Sequence, residues 1–146
     1  MTTDHERHLR RAIQLARDGV EAGGEPYGSL LVSADGDVLI EDFNTVVPDR
    51  DISAHPELKL AVWAARELEP TVAAGTTMYT SCQPCSMCTG AIARSGLGRV
   101  VFALSNQQHA ALVPGESHPD VPQEGPALFD EARVPIESYY GRTAKD

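Results

Sequence analysis

The sequence is short of positive charge, of cysteine and of long apolar runs, and each shortage removes a class of function. Twelve Lys and Arg stand against 21 Asp and Glu, a formal net charge of −9 with histidines neutral. A protein that grips a polyanion neutralises phosphates with clustered Lys and Arg. The densest basic group here, Arg7, Arg10, Arg11 and Arg17, is spread along what reads as one solvated helix face. No nucleic acid polymer and no membrane surface is therefore expected as a partner. No stretch approaches the roughly 18 apolar residues of a membrane span, and the polar start MTTDHERHLR carries no apolar signal segment, so a cytoplasmic address is expected. The three cysteines are odd in number and all lie between Cys82 and Cys88. They cannot form a disulfide framework, and clustered thiols in a reducing compartment point to a metal or redox site. Repeats, linkers and low-complexity blocks are also missing.

What remains is an ordinary globular composition, 42% apolar and 23% charged, over 146 residues. That length predicts a single domain, 1–146, able to bury a core without staples, with its core at 4–104 and a loop and tail at 105–146. Thr3 followed by Glu6 makes a capping-box pattern. Leu9, Ala12, Ile13, Ala16 and Val20 then repeat at helical spacing, which predicts a helix from Asp4 to Ala22 ended by Gly23-Gly24. Tyr27 to Ser33 and Val38 to Phe43 are β-prone runs joined by Ala34-Asp35-Gly36-Asp37, an antiparallel hairpin with Asp-Gly in its turn. Asn44 to Ser53 reads as a polar loop. A second helix fits Ala54 to Glu69, with Leu58, Ala61, Val62, Ala65 and Leu68 on one side and Pro70 closing it.

Thr76 to Ser81 predicts a third strand, Ser86 to Ser95 a helix, and Arg99 to Leu104 a strand buried on both faces. Beyond Ser105 the chain is rich in Gly and Pro; Ala127 to Ala132 fits a short helix, and Pro135 argues against a long regular tail. The fold expected is α/β: a mixed sheet, one hairpin followed by parallel strands, with helices on both faces. Sites in such sheets collect where strands hand over to helices.

Two chemically unusual segments lie at such junctions. One is His55-Pro56-Glu57, opening the second helix, and the other is Pro84-Cys85-Ser86-Met87-Cys88, opening the third. Two cysteines three apart in a first helical turn can address one ion, and His55 from another helix adds a third ligand. Three protein ligands leave a fourth position open to water, the arrangement of catalytic rather than structural zinc. A helix start also favours thiolates. Glu57 gives the arrangement a purpose, since a carboxylate beside that water can take its proton and return it to a leaving group.

Blander readings stand beside these. Cys85 and Cys88 also fit a redox Cys-x-x-Cys, which leaves His55 and Glu57 unexplained, and Cys82 is available to close a structural zinc site or to be a buried strand-end thiol. His5, His8, His109 and His118 read as surface residues. Asn44 fits a turn, Tyr27 fits plain core, Trp63 fits a core or subunit contact, and Tyr139 and Tyr140 fit a packed tail.

His-x-Glu paired with Pro-Cys-x-x-Cys resembles the signature of the zinc nucleobase deaminases. From the first helix to about Leu104 the chain resembles the cytidine deaminase-like superfamily: Pro26-Tyr27-Gly28 at the first strand, Asn44 after the second, His55-Pro56-Glu57, and Cys82 to Ile92. Thr89-Gly90-Ala91-Ile92 looks like the branch of guanine deaminases, fungal-type cytosine deaminases and tRNA adenosine deaminases. The resemblance implies a three-layer α-β-α sandwich around a mixed five-stranded sheet, one Zn2+ per chain on His55, Cys85 and Cys88, and Glu57 as the catalytic acid and base. It also implies that Asn44 bonds the polar edge of the ring, that Tyr27 stacks on it, and that the backbone carbonyl of Gln83 accepts from the amino group. The segment Glu137 to Gly141, with Tyr140, resembles tails that cover the active site, sometimes across a homodimer. Pro56 replaces the alanine usual in this branch, which suits a first helical position but leaves the subgroup open. The charge of −9 argues against a tRNA substrate. Expected is a hydrolytic deaminase of guanine or a related or modified purine, then of cytosine-type or triazine bases, then of nucleosides, against a non-catalytic zinc or thiol module.

Overall fold

The computed structural model describes residues 3–113, 115 and 118–144, in two compact units, Met1–Gly115 and Glu116–Asp146. The first unit runs α1 (Thr3–Glu21), β1 (Gly28–Val32), β2 (Val38–Phe43), α2 (Val46–Asp49), α3 (Pro56–Glu67), α4 (Pro70–Ala74), β3 (Thr77–Cys82), α5 (Ser86–Ser95), β4 (Arg99–Leu104) and α6 (Asn106–Leu112). The four strands stand in the order β2-β1-β3-β4. β1 is antiparallel to both neighbours, and β3 and β4 are parallel, so β2, β3 and β4 share a direction. The hairpin turn needs Gly36, whose φ of +92° no β-carbon tolerates well.

Helix α1 covers one face and α3 with α5 cover the other, giving the three layers expected. Leu9, Ala12, Leu15, Leu30, Val32 and Tyr79 form the core under α1. Leu31, Leu60, Ala64 and Met78 form the core on the opposite face, with Trp63 packed at its margin. Strand β1 is central and buried throughout, and its alternate side chains feed both cores.

Several expectations need correction. The buried face of α3 is Glu57, Leu60, Ala61 and Ala64, while Val62 is exposed and so is Ala65; the apolar stripe was displaced because Val62 and Ala65 fit the same helical spacing as the true core positions. In α1, Leu15 and His8 are buried and Val20 is exposed. His8 stacks on Tyr79 with ring centroids 4.8 Å apart, and His5 Nδ1 lies 2.7 Å from the Tyr79 hydroxyl, so neither is a free surface residue. Asn44 to Ser53 contains the short helix α2, and Pro70 starts α4 rather than only ending α3.

Strand β4 is an edge strand with Arg99 and Ala103 exposed, not one buried on both faces. Its apolar run reflects packing into two layers, Val101 on the α1 side and Val100 on the other. No fifth strand occurs among the described residues. The chain turns instead into α6, where Ser105 Oγ accepts the Gln108 N–H at 3.0 Å and the Gln108 side chain accepts the Ser105 N–H at 2.9 Å, a capping box.

The second unit contains α7 (Phe129–Ala144), which continues through Pro135. A proline inside a helix deletes a single backbone donor and crowds the preceding turn, and here it does not terminate the element. Every described side chain in the unit up to position 141 is exposed.

At the start of β1, α1 lies directly on the backbone. A β-carbon on Gly28 would sit 2.5 Å from the Ala12 carbonyl oxygen and 2.6 Å from the Ala16 nitrogen. Gly28→Ala is expected to destabilise the protein by about 1–3 kcal/mol through overpacking, read as a lower urea midpoint at unchanged slope; an unchanged midpoint would show that α1 can move away freely.

Candidate functional site

Helices α3 and α5 pack against each other and bring their N-termini together. His55 is the N-cap of α3, extended at φ −76° and ψ 138°, with Pro56 in the first turn as its fixed φ requires. Cys85 is the N-cap of α5, at φ −71° and ψ 174°. Neither side chain bonds back to cap its own helix, so both are available to a shared ligand. Cys88 follows in the first turn of α5 and is fully buried.

The three donor atoms converge. His55 Nδ1 lies 3.4 Å from Cys88 Sγ and 3.7 Å from Cys85 Sγ, and all three donors lie within 4.8 Å of one another. Tetrahedral zinc, with bonds of about 2.3 Å to sulfur and 2.0 Å to nitrogen, sets S···N edges of about 3.5 Å. The donor set therefore fits zinc in type and spacing, and His55, Cys85 and Cys88 form a candidate zinc site. Burial, with Glu57 and Cys85 as neighbours, pushes the Cys88 thiol well above its ordinary range. The helix start alone does not make that thiol a thiolate; a cation in the cradle would.

Among the described residues this ligand group does not include Cys82. Cys82 ends β3 in register with Leu104, half-buried, and burial raises its thiol. The fourth position of the cradle is not closed by sulfur, against the structural-zinc alternative.

Glu57 stands in the first turn of α3, only 6% exposed. Burial raises its carboxyl above the ordinary carboxylate range, opposed by a backbone hydrogen bond, by His55 and by hydrogen bonds from Ser29 and Cys88. A buried carboxyl beside the donor cradle is placed to take and to give a proton.

The expected base-binding residues divide. Asn44 is buried, and its backbone N–H donates to the Tyr27 carbonyl at 2.9 Å, so these two are neighbours. Asn44 Oδ1 accepts the Val46 N–H at 2.9 Å, so the residue serves the turn as well. The Tyr27 hydroxyl lies 2.7 Å from His109 Nε2 on α6, with the rings tilted at 49°; Tyr27 is half-buried rather than plain core. Gln83 Oε1 accepts the Asn106 N–H at 2.9 Å and its backbone N–H donates to Leu104 at 2.7 Å, fixing α6 beside the cysteine loop. Tyr140 belongs to the second unit, 63% exposed, edge-on to Tyr139 at 5.0 Å.

Three residues escaped the sequence reading. Lys59 Nζ donates to the Phe43 carbonyl and to Thr45 Oγ1, both at 3.0 Å, and pairs with Asp42 at 3.1 Å, so it ties α3 to the chain on both sides of Asn44. Its signal was a lone Lys four residues after His55, between Leu58 and Leu60. Ser29 touches Glu57, and His109 touches Tyr27; the hydroxyl directly before the apolar run Leu30-Leu31-Val32 was the readable sign of the first.

Comparison with known proteins agrees with this geometry. Residues 2–104 match the model of the cytidine and deoxycytidylate deaminase zinc-binding region. A probable cytosine deaminase of Schizosaccharomyces pombe is 33% identical over 153 residues, spanning 91% of this chain and 90% of its own. The crystal structure of guanine deaminase from Bacillus subtilis superposes with a TM-score of 0.76 at 28% identity, over 97% of this chain and 95% of its own. A protein solved in complex with 8-azaguanine superposes at 0.64 with 27% identity, over 74% of this chain and 62% of its own. With a convergent His-Cys-Cys cradle beside a buried glutamate, the chain belongs to the cytidine and deoxycytidylate deaminase family, and it is a zinc-binding deaminase, a hydrolase acting on C–N bonds.

Proposed function

We propose that this deaminase converts a free amino-bearing base to its oxo product with release of ammonia, and that guanine or a related or modified purine is its best substrate. The observation that carries the chemistry is the buried Glu57 carboxyl beside the three-donor cradle. Zinc held by His55, Cys85 and Cys88 would supply Lewis acidity to a water in its open position. Glu57 takes a proton from the attacking water and delivers it to the ring nitrogen; it then takes the proton of the hydroxyl now on the ring carbon and passes it to the amine as the C–N bond breaks and the carbonyl forms. Water contributes the oxygen, the ring carbon keeps it, and ammonia leaves, so no oxidant or reductant is needed. At 6% exposure Glu57 is largely shielded from bulk water, which keeps these transfers local.

Recognition falls to residues around Asn44. With Oδ1 engaged by Val46, the Asn44 amide nitrogen is the group that donates to a ring carbonyl. Tyr27, braced by His109, offers a ring on which a base can stack, and the Gln83 backbone carbonyl accepts from the amino group. The net charge of −9 disfavours tRNA, since a polyanion needs a basic face. Purine is ranked above cytosine because the similar solved structures include a guanine deaminase and a protein in complex with 8-azaguanine, a purine analogue; the Schizosaccharomyces relative makes cytosine and triazine bases the second reading, and nucleosides the third.

We also propose a homodimer in which Tyr140 and its neighbours from one tail complete a site. The support is the exposure of Phe129, Val134, Ile136, Tyr139 and Tyr140 along α7, an apolar surface that a second copy would cover. Light scattering should give twice the chain mass of 15.7 kDa; a monomer would remove this part.

The substrate assignment is tested by ammonia release from a panel of guanine, cytosine, an aminotriazine, guanosine and cytidine with zinc-loaded protein. The highest kcat/KM is expected on guanine, by about tenfold or more, since mismatched polar groups in a buried base pocket are costly. Preference for cytosine or a nucleoside would overturn the ranking while leaving the deaminase chemistry in place.

A further inference from the structure

We propose that Ser29 is a positioning residue for the proton-carrying glutamate: its hydroxyl, itself held by Thr80, fixes which way the Glu57 carboxyl faces. This rests on the role given to Glu57 above. Ser29 Oγ lies 3.2 Å from Glu57 Oε1 and 2.8 Å from Thr80 Oγ1. All three groups are buried, at 0%, 6% and 1% exposure for Ser29, Glu57 and Thr80, so the carboxyl finds its partner in protein rather than in bulk water.

The hydrogen order follows from the inventory of donors. A carboxylate accepts only, and a hydroxyl has a single hydrogen to give. With Glu57 ionised, Ser29 donates to Glu57 and accepts from Thr80. If Ser29 gave its hydrogen to Thr80 instead, its lone pairs would face the carboxylate, an unfavourable contact in a buried place. When Glu57 carries a proton the chain can reverse: Glu57 donates to Ser29, Ser29 to Thr80, and Thr80 turns to the Gly28 carbonyl at 3.4 Å. A hydroxyl pair thus serves the acid and the base form of the same group without moving a heavy atom.

The strands set this geometry. Ser29 and Thr80 are directly opposed on antiparallel β1 and β3. Leu31 and Met78, two residues along each strand, belong to the core beneath α3 and α5, so period-two alternation turns both hydroxyls to the helix that carries Glu57. Thr80 alone would satisfy a buried serine, so the contact with Glu57 is more than the disposal of a polar atom.

The test uses the zinc-loaded full chain and its best base. Ser29→Ala, nearly isosteric, is expected to lower kcat about tenfold while KM stays within about twofold and zinc remains at about one per chain, because alignment of a proton carrier acts on the chemical step. Thr80→Val should lower kcat in the same direction, and Thr80→Ser should restore it. The double variant Ser29→Ala/Thr80→Val should be no slower than Ser29→Ala alone, since the hydroxyls act in series. An infrared readout is independent of turnover: the carboxyl band that disappears in Glu57→Gln should shift in Ser29→Ala. Full kcat in Ser29→Ala, an unmoved Glu57 band, or a loss confined to KM would overturn the proposal. If Ser29→Ala fails to fold, full kcat in a folded Thr80→Val overturns it equally. Turnover surviving in Glu57→Gln would bring down the underlying role of Glu57, whereas a dead Glu57→Gln beside a fully active Ser29→Ala would bring down only the part given to Ser29.

Discussion

Glu57→Gln is expected to reduce kcat by about 10³-fold or more, the upper part of the range for loss of a general acid and base, with zinc still bound at about one per chain. Glutamine keeps the volume of the side chain in a place only 6% exposed, and its amide oxygen can still accept from Ser29 at the present 3.2 Å geometry. What it loses is the capacity to hold a proton. Burial raises the Glu57 carboxyl, the direction that suits a group which takes a proton and then returns it. Because Gln and Glu differ little in shape, unfolding would not explain the loss; circular dichroism and zinc content of the variant should match the parent. Substantial ammonia release by Glu57→Gln would show that another group carries the protons.

Removing the metal is expected to have an effect as large on turnover and a second one on stability. His55→Ala, Cys85→Ala and Cys88→Ala should each reduce zinc from about one per chain toward zero and take ammonia release to background. A ligand that binds only the folded state stabilises it by RT ln(1 + [L]/Kd), about 4 kcal/mol at a thousandfold excess over Kd. Chelation should therefore lower the thermal midpoint of the parent and leave that of Cys88→Ala nearly unmoved. The buried thiol explains why the metal matters to folding: Cys88 has no exposure, and its ionised form is unfavourable beside Glu57 unless a cation compensates. A parent protein whose midpoint ignores a strong chelator, at full activity, would remove zinc from the account.

The parts of this molecule most legible in the sequence were those with short-range causes. Helix α5 and strand β4 have the bounds that their Gly and Pro punctuation dictates, and the two ligand segments fall at helix starts because Pro56 and Pro84 flank residues whose side chains are free of capping duty. The hairpin was readable from Asp35-Gly36, where a positive φ is needed. Less was legible where the outcome depends on a neighbour distant in sequence. Strand β4 carries the composition of a central strand but lies at an edge, since apolar residues alone say nothing of how many strands follow. His8 looked like a surface residue until the Tyr79 ring, brought in by β3, covered it. Helix α7 crosses Pro135, although a proline at that place reads as a stop. Around the site, the spacing pointed to the grouping of His55, Cys85 and Cys88, while Ser29, Lys59 and His109 meet their neighbours through contacts spanning up to 82 positions in the chain, for which one sequence offers only weak signs.

Mass spectrometry of the product formed from guanine in ¹⁸O-labelled water tests the central claim most directly. Hydrolytic deamination predicts one ¹⁸O in each oxo product for each ammonia released by zinc-loaded protein, and neither product nor label from Glu57→Gln. Ammonia without label in the product, or no turnover of guanine or of any other base in the panel by protein carrying its zinc, would contradict the account.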